Sequence, residues 1–238
     1  MGFFLSIMMI LSSPMLVKNN MIQIAGIQFK VIINGDSDRR FIWVHGDEQT
    51  AKMALEDHIS TNEGTAFLVQ GIAREADFFG GMIDPNRIFS AEGAKKNIKK
   101  YNHDWPRAKT QEVLELLNKD RDAFLDQIFP KNGGLLVALH NNSKGYSIIN
   151  EVPISDKVSI KPDQSPQNFY LCTNANDFDV LARSPFNVAL QEKLPKEDNG
   201  SLSWAAVRQD VRYVNIETQL GWLSLQKKML NYLEDHLK

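Results

Sequence analysis

The residues with the most chemistry to offer lie in FIWVHGDEQTAKMALEDHI, residues 41–59, where His45 and Glu48 stand three apart as an apolar run gives way to a helical pattern. Imidazole nitrogen and carboxylate oxygen are both zinc ligands, and a hydrolytic zinc takes three protein ligands and keeps one position open for water. The sequence has one cysteine, Cys172, so a cysteine-built site is excluded and the third ligand must be another histidine or a carboxylate. Of the five histidines, His140 closes the apolar run GGLLVALH and so is placed as His45 is, at a strand end. Together they would make a His2Glu set, suited to zinc and able also to take manganese or cobalt. Glu217, at the end of VRYVNIE, could take a proton from water and pass it to a leaving amine. Arg87 with Asn86, in MIDPNRIFS, offers a planar fork and an amide for gripping a carboxylate or polarising a carbonyl.

Such side chains act together only if the elements that carry them share an edge. The stretch MIQIAGIQFKVIING alternates and ends in turn residues, which predicts an opening hairpin. RFIWVHG reads as a short strand, and residues 48–59 place apolar side chains at helical spacing. Strands are predicted at 64–73 and 133–140, with a long amphipathic helix at 107–129 between them. Residues 151–168 read as an irregular excursion, 168–174 as a strand with a short helix after it, 211–221 as the last strand and 222–237 as a closing helix. Alternation of strands and helices predicts an α/β protein with helical layers on both sides of its sheet. In such sheets ligands bind in the crevice at the carboxyl ends of strands, where His45, His140 and Glu217 are all expected.

The bulk numbers fit one globular domain over residues 21–238. The chain has 238 residues, 43% hydrophobic and 24% charged, with a formal charge of −2 and no basic stripe, which argues against nucleic acid as a partner. Ahead of that domain, MGFFLSIMMILSSPML is an apolar run of signal-peptide length, without a preceding Lys or Arg and without an A-x-A cleavage site. Residues 1–20 are read as an atypical export signal, which would place the protein outside the cytoplasm or in a periplasm; membrane anchoring is the less favoured reading. Translation starting at Met21 would instead make the protein cytoplasmic.

The motifs H-G-D-E, D-P-N-R-I-F, L-H-N-N and I-E-T occur in the order seen in the zinc carboxypeptidase superfamily. They most resemble its succinylglutamate desuccinylase/aspartoacylase branch, whose motifs read H-G-x-E, D-L-N-R-x-F, D-L-H and an I/V-E strand end. The resemblance runs over residues 40–222 as four islands. It implies a three-layer α/β/α fold around a central mixed β-sheet, the zinc-carboxypeptidase-like (phosphorylase/hydrolase-like) architecture. It also implies that His45, Glu48 and His140 bind zinc, that Glu217 is the general base, and that Asn86 and Arg87 hold substrate or stabilise an oxyanion. Asp84 would accept a hydrogen bond from His45. Two positions depart from the family pattern: Pro85 replaces the usual Leu, and Ala138 stands where an Asp is frequent. No clear equivalent of the lid tyrosine is found, with Tyr146 and Tyr213 the nearest candidates.

The resulting expectation is a hydrolase with one Zn2+ per chain that cleaves an amide bond next to a carboxylate-bearing group. A peptide with a free C-terminus, a cell-wall peptide or an N-acyl amino acid would each satisfy these residues. The alternative, motivated by Pro85 and Ala138, is a non-catalytic relative that keeps the fold and binds peptides or partners.

Overall fold

The alternating stretch after the N-terminal segment folds into the hairpin its pattern predicts. Strands β1 (Asn20–Ile24) and β2 (Ile27–Asn34) pair antiparallel. They turn at Ala25 and Gly26, whose φ angles of 45° and 87° suit a tight primed turn. The computed structural model describes residues 20–142 and 145–238, so the apolar segment expected over residues 1–20 lies, but for Asn20, outside the described residues. Among those described, no helix is long and apolar enough to cross a membrane.

The chain continues through β3 (Arg40–Trp43), α1 (Gln49–Thr61), β4 (Gly64–Val69), the small hairpin β5 (Ala76–Phe78) and β6 (Gly81–Ile83), α2 (Ala91–Tyr101), and α3 (Arg107–Ile128). It then forms β7 (Leu135–Asn142), α4 (Ile148–Glu151), β8 (Lys157–Ser159), β9 (Phe169–Cys172), α5 (Ala175–Leu181), β10 (Asn187–Leu190), α6 (Leu202–Arg208), β11 (Arg212–Gln219) and α7 (Leu223–His236). Among the described residues nine strands make one mixed sheet, in the order β1-β2-β4-β3-β7-β11-β9-β10-β8. Its centre, β4-β3-β7-β11, is parallel. The central strands are buried on both faces, which is why Leu135–Leu139 reads as an unbroken apolar run rather than an alternation.

Register puts the helices on opposite faces. Phe29 of β2 pairs with Val69, two residues from Phe67, and Phe67 pairs with Ile42; all of these share one face, and Phe41 the other. Phe29 packs on Phe124 of α3, and Phe41 packs on His58 of α1. Helix α3 therefore covers one face, with α2 packed beside it, and α1 covers the other with α7. This is the three-layer α/β/α arrangement.

The order of the central strands creates the crevice. From β3 the chain builds β4 on one side, then returns to build β7 on the other side of β3. Between β3 and β7 the direction of winding reverses, and at such a switch point the loops leaving the two strands part to open a cleft.

Candidate metal centre and active site

His45 and His140 flank that switch point. His45 lies two residues beyond β3, and His140 lies in β7. Glu48 sits between them. Its Oε1 accepts from His45 Nδ1 at 2.7 Å, and its Oε2 accepts from His140 Nδ1 at 2.9 Å and from the backbone N–H of Asn141 at 3.1 Å. One ligating atom from each of the three residues lies within 4.8 Å of the others, and all three side chains are buried. On its other edge His45 Nε2 donates to Asp84 Oδ1 at 2.8 Å, fixing the ring so that Nδ1 faces the cluster. Two imidazole nitrogens and a carboxylate converging at one point form a donor set that fits a small divalent cation.

The tight turn that makes this possible is written into the chain. Gly46 approaches the backbone of residues 71–73 so closely that a Cβ there would lie 2.6 Å from the Ala73 carbonyl oxygen. Trp43 Nε1 donates to the Glu48 carbonyl at 2.9 Å, folding the turn back over the end of β3.

Charged groups are concentrated here. Burial by itself would lower the pKa of His45, but Glu48 and Asp84 outweigh it and push it up to about 9. Burial would raise Glu48 and Asp84, yet His45 and His140 hold Glu48, and His45 with Arg87 and Arg74 holds Asp84, well below the usual carboxylate range. The pocket of carboxylates thus attracts positive charge, whether proton or metal ion.

Asp84 and Arg87 belong to a 3-10 turn over Pro85–Arg87. Asp84 Oδ1 also accepts from the Asn86 N–H at 2.8 Å, and the Arg87 N–H donates to the Asp84 carbonyl at 3.0 Å. Pro85 occupies the first position of this turn, where its missing N–H costs nothing. Asp84 still reaches His45. Gly200, at φ 78°, packs against the Arg87 carbonyl, and Asn86 Oδ1 accepts from the Leu202 N–H at 3.0 Å, tying the turn to α6. Arg87 points into the cavity, where no described carboxylate lies within ion-pairing distance of it. Ala138 is fully buried beneath His140, whose hydrogen-bonding partner among the described side chains is Glu48.

Glu217 stands directly opposite His140 in the parallel pair β7/β11. Asn215 Nδ2 donates to its Oε1 at 3.0 Å and Asn142 Nδ2 to its Oε2 at 3.4 Å. Burial lifts its carboxyl above that of an ordinary glutamate; His140 opposes the shift and Glu48 adds to it. Glu217, Asn215 and Tyr213 lie on one face of β11 by strand alternation, and all three line a cavity of about 450 Å³ together with His45, Glu48, His140, Asn86 and Arg87. All the expected site residues except Asp84 line this one space, and Asp84 touches it through His45.

Other residues line the cavity too, among them Tyr146, named above as a nearest candidate for the lid tyrosine. Arg74 is ion-paired with Glu48 at 2.8 Å and lines the cavity. Nothing in its sequence setting marks it, because the loop over residues 70–75 is brought there by contact with Gly46. Tyr146 also lines the cavity and donates to Glu151 Oε1 at 2.6 Å. Burial and the charges of Glu217 and Glu151 push its hydroxyl well above the ordinary phenol range, so it remains a donor. Asn215 was legible in principle, since it lies two residues before Glu217 on the same strand face.

A three-layer mixed sheet with a His-x-x-Glu turn and a distant histidine meeting at its switch point defines a carboxypeptidase-like architecture. No protein-family profile matches the sequence, and no curated protein sequence matches it. Among solved structures, succinylglutamate desuccinylase from Chromobacterium violaceum is similar with a TM-score of 0.52 at 12% identity, covering 90% of this chain and 68% of that one. The product-bound ectoine utilization protein EutE (DoeB) from Ruegeria pomeroyi gives a TM-score of 0.45 at 17% identity, over 87% of this chain and 59% of that one. A protein from Shewanella amazonensis SB2B described as a candidate metallopeptidase gives 0.46 at 14% identity, over 92% and 85% of the two chains. The likeness to the desuccinylase is one of fold. The chain has the carboxypeptidase-like architecture that its four motifs imply.

Proposed function

We propose that this chain is a zinc-dependent hydrolase that cleaves an amide bond next to a carboxylate-bearing group, with residues 21–238 forming one catalytic domain. The observation that carries the reading is the meeting of His45, Glu48 and His140 within 4.8 Å, beside Glu217, in one cavity at the sheet's switch point. These three residues would hold one Zn2+ per chain. Bound there, zinc would act as a Lewis acid, polarising the scissile carbonyl and making water a better nucleophile at neutral pH.

The chain's own groups supply the rest. Asp84 keeps His45 in the ring orientation that turns Nδ1 toward Glu48. Arg74 bonds Glu48 Oε1 and holds that carboxylate in place. Arg87 and Asn86 face the cavity as a guanidinium fork and an amide, a pairing that recognises a substrate carboxylate or the oxyanion as charge develops on the carbonyl oxygen. Glu217 accepts the proton of the attacking water and returns it to the amine nitrogen as the carbon–nitrogen bond breaks, leaving a carboxylate and an amine. Its raised pKa suits the task, because a carboxyl that protonates readily can hold the proton between the two steps.

The test is release of free amine from N-acyl amino acids and from peptides with a free C-terminus by the zinc-loaded protein, with Glu217→Gln alongside. Turnover of one class, lost in the variant while zinc remains bound, is the expected result. Zinc bound without turnover of either class would favour the non-catalytic relative.

A further inference from the structure

The cavity extends beyond the groups that the proposed hydrolysis uses. Residues Asn215, Leu171 and Ala189 are paired across β11, β9 and β10 and so share a face. Gln191, two residues beyond Ala189, continues that face. The cavity floor therefore runs from Glu217 across Leu171 to Gln191. That is two strand spacings, about 10 Å.

At the far end stands Glu151, the last residue of α4. It is buried, with 9% of its surface exposed, and it lines the cavity. Its Oε1 accepts from the Tyr146 hydroxyl and its Oε2 from Gln191 Nε2, each at 2.6 Å. Both donors are neutral. Among the described residues no Lys, Arg or His lies within 4.0 Å of it, whereas Glu48 has Arg74, His45 and His140. A buried carboxylate whose described partners are neutral donors is one that an incoming cation would complement.

Nearer the floor's centre, Asn142 Oδ1 and Asn215 Oδ1 are buried acceptors with no hydrogen-bond partner in the described protein. Asn215 Nδ2 donates to Glu217, while Asn142 Nδ2 donates to the Gln167 carbonyl at 2.6 Å and at 3.4 Å to Glu217. On the other side of the cavity Arg87 has no described carboxylate partner, and Tyr146, which donates to Glu151, lies within electrostatic reach of it.

We propose that Glu151 is a specificity-determining residue that receives a protonated amine of the substrate, so that the preferred substrate is the N-acyl derivative of a basic amino acid. The inference rests on the hydrolase reading for the identity of the scissile bond. Arg87 would take the carboxylate, the acyl amide would lie by Glu217 and the metal cluster, and the basic side chain would follow the Leu171 floor to Glu151. A small acyl group and a peptide ending in a basic residue share this chemistry.

Binding and turnover are to be measured separately. Binding of N-acetyl-lysine and N-acetyl-norleucine, which differ by the ammonium, is compared by calorimetry on zinc-loaded full-length Glu217→Gln. A charge-assisted hydrogen bond to a buried carboxylate predicts about 10- to 100-fold tighter binding of the lysine compound. Equal binding overturns the proposal even where the wild-type protein hydrolyses both, and preferential binding upholds it even where no hydrolysis is found. In the wild-type protein the ratio of kcat/KM for the two compounds is expected to favour lysine by a similar factor and to fall toward one in Glu151→Gln. A lysine preference unchanged in a folded Glu151→Gln protein would also overturn it. The same comparison with peptides ending in lysine or norleucine tells whether the acyl group is small or peptidyl.

Discussion

Two polar clusters lie back to back on the same pair of strands and could hardly differ more. On one face of β7 and β11, His140 stands opposite Glu217; one residue further along, on the other face, Asn141 stands opposite Thr218. The second cluster is neutral and closed. Asn141 Nδ2 donates to Thr218 Oγ1 at 3.1 Å and to Gln226 Oε1 at 2.9 Å, its Oδ1 accepts from the Ala51 N–H at 2.7 Å, and the Thr218 hydroxyl donates to Gln226 Oε1. It ties α1 and α7 to the sheet. The first cluster is charged and opens onto a cavity, and among the described residues Asn142 and Asn215 each keep a buried amide oxygen without a partner. Reciprocated neutral bonds are how a core secures itself. Charges gathered beyond their mutual needs, at a strand-end crevice, mark a place kept for a ligand.

The contrast can be broken by substitution. The largest expected effect is at Glu217. With the proposed base removed, Glu217→Gln should lower steady-state turnover about 10²- to 10⁴-fold while the protein stays folded and takes up supplied zinc as the wild type does. Next is the closed cluster. Gln226→Leu strands the Asn141 amide and the Thr218 hydroxyl in the core and should cost about 2–3 kcal/mol in denaturant unfolding, with metal content unaffected. If Gln226→Leu also removed the metal, the two faces would be one cooperative unit and the comparison would fail.

A smaller change sharpens the charged side. Asp84→Asn weakens the partner of His45 Nε2 without touching a candidate ligand, and zinc affinity measured by chelator competition should fall about 10- to 100-fold. The smallest effect concerns His58 of α1, a buried histidine outside both clusters. Burial first, and the charge of Arg39 second, lower its pKa to about 4 from 6.5. Above pH 6.5 both folded and unfolded forms are neutral and the residue contributes no pH dependence. As pH falls from 6.5 toward 4 the unfolded chain takes up a proton that the folded chain refuses, and stability drops before levelling off. His58→Leu, which keeps an apolar contact with Phe41, should flatten that part of a Tm-against-pH curve.

Much of this contrast was legible in the sequence. His45, Glu48, His140 and Glu217 could be found because strand ends and helix starts are marked by apolar runs giving way to polar residues, and the parallel central strands carry unmistakable runs such as Leu135–Leu139. The amphipathic helix expected at 107–129 matches α3 within a residue. Other elements left weaker marks. The irregular excursion expected over 151–168 contains β8, a three-residue edge strand whose Lys157 and Val158 are exposed, so neither alternation nor an apolar run announces it. Helix α2 was not expected, because AEGAKKNIKKY buries little more than Ala94, Asn97 and Ile98 and owes its start to the Ser90 cap. Arg74 and Glu151 escaped for a different reason. Each reaches the cavity from a loop or short helix whose path is set by tertiary contact, Gly46 on residues 71–73 in one case and Gln191 on Glu151 in the other. Periodicity carries no information about such meetings.

The charged face is claimed as a metal site, and its metal content is the direct test. Plasma mass spectrometry of protein purified without an affinity tag and then supplied with zinc should find about one metal ion per chain in the wild type and in Gln226→Leu, and none in His140→Ala. Wild-type protein that takes up no metal, or His140→Ala that holds as much as the wild type, would contradict the account.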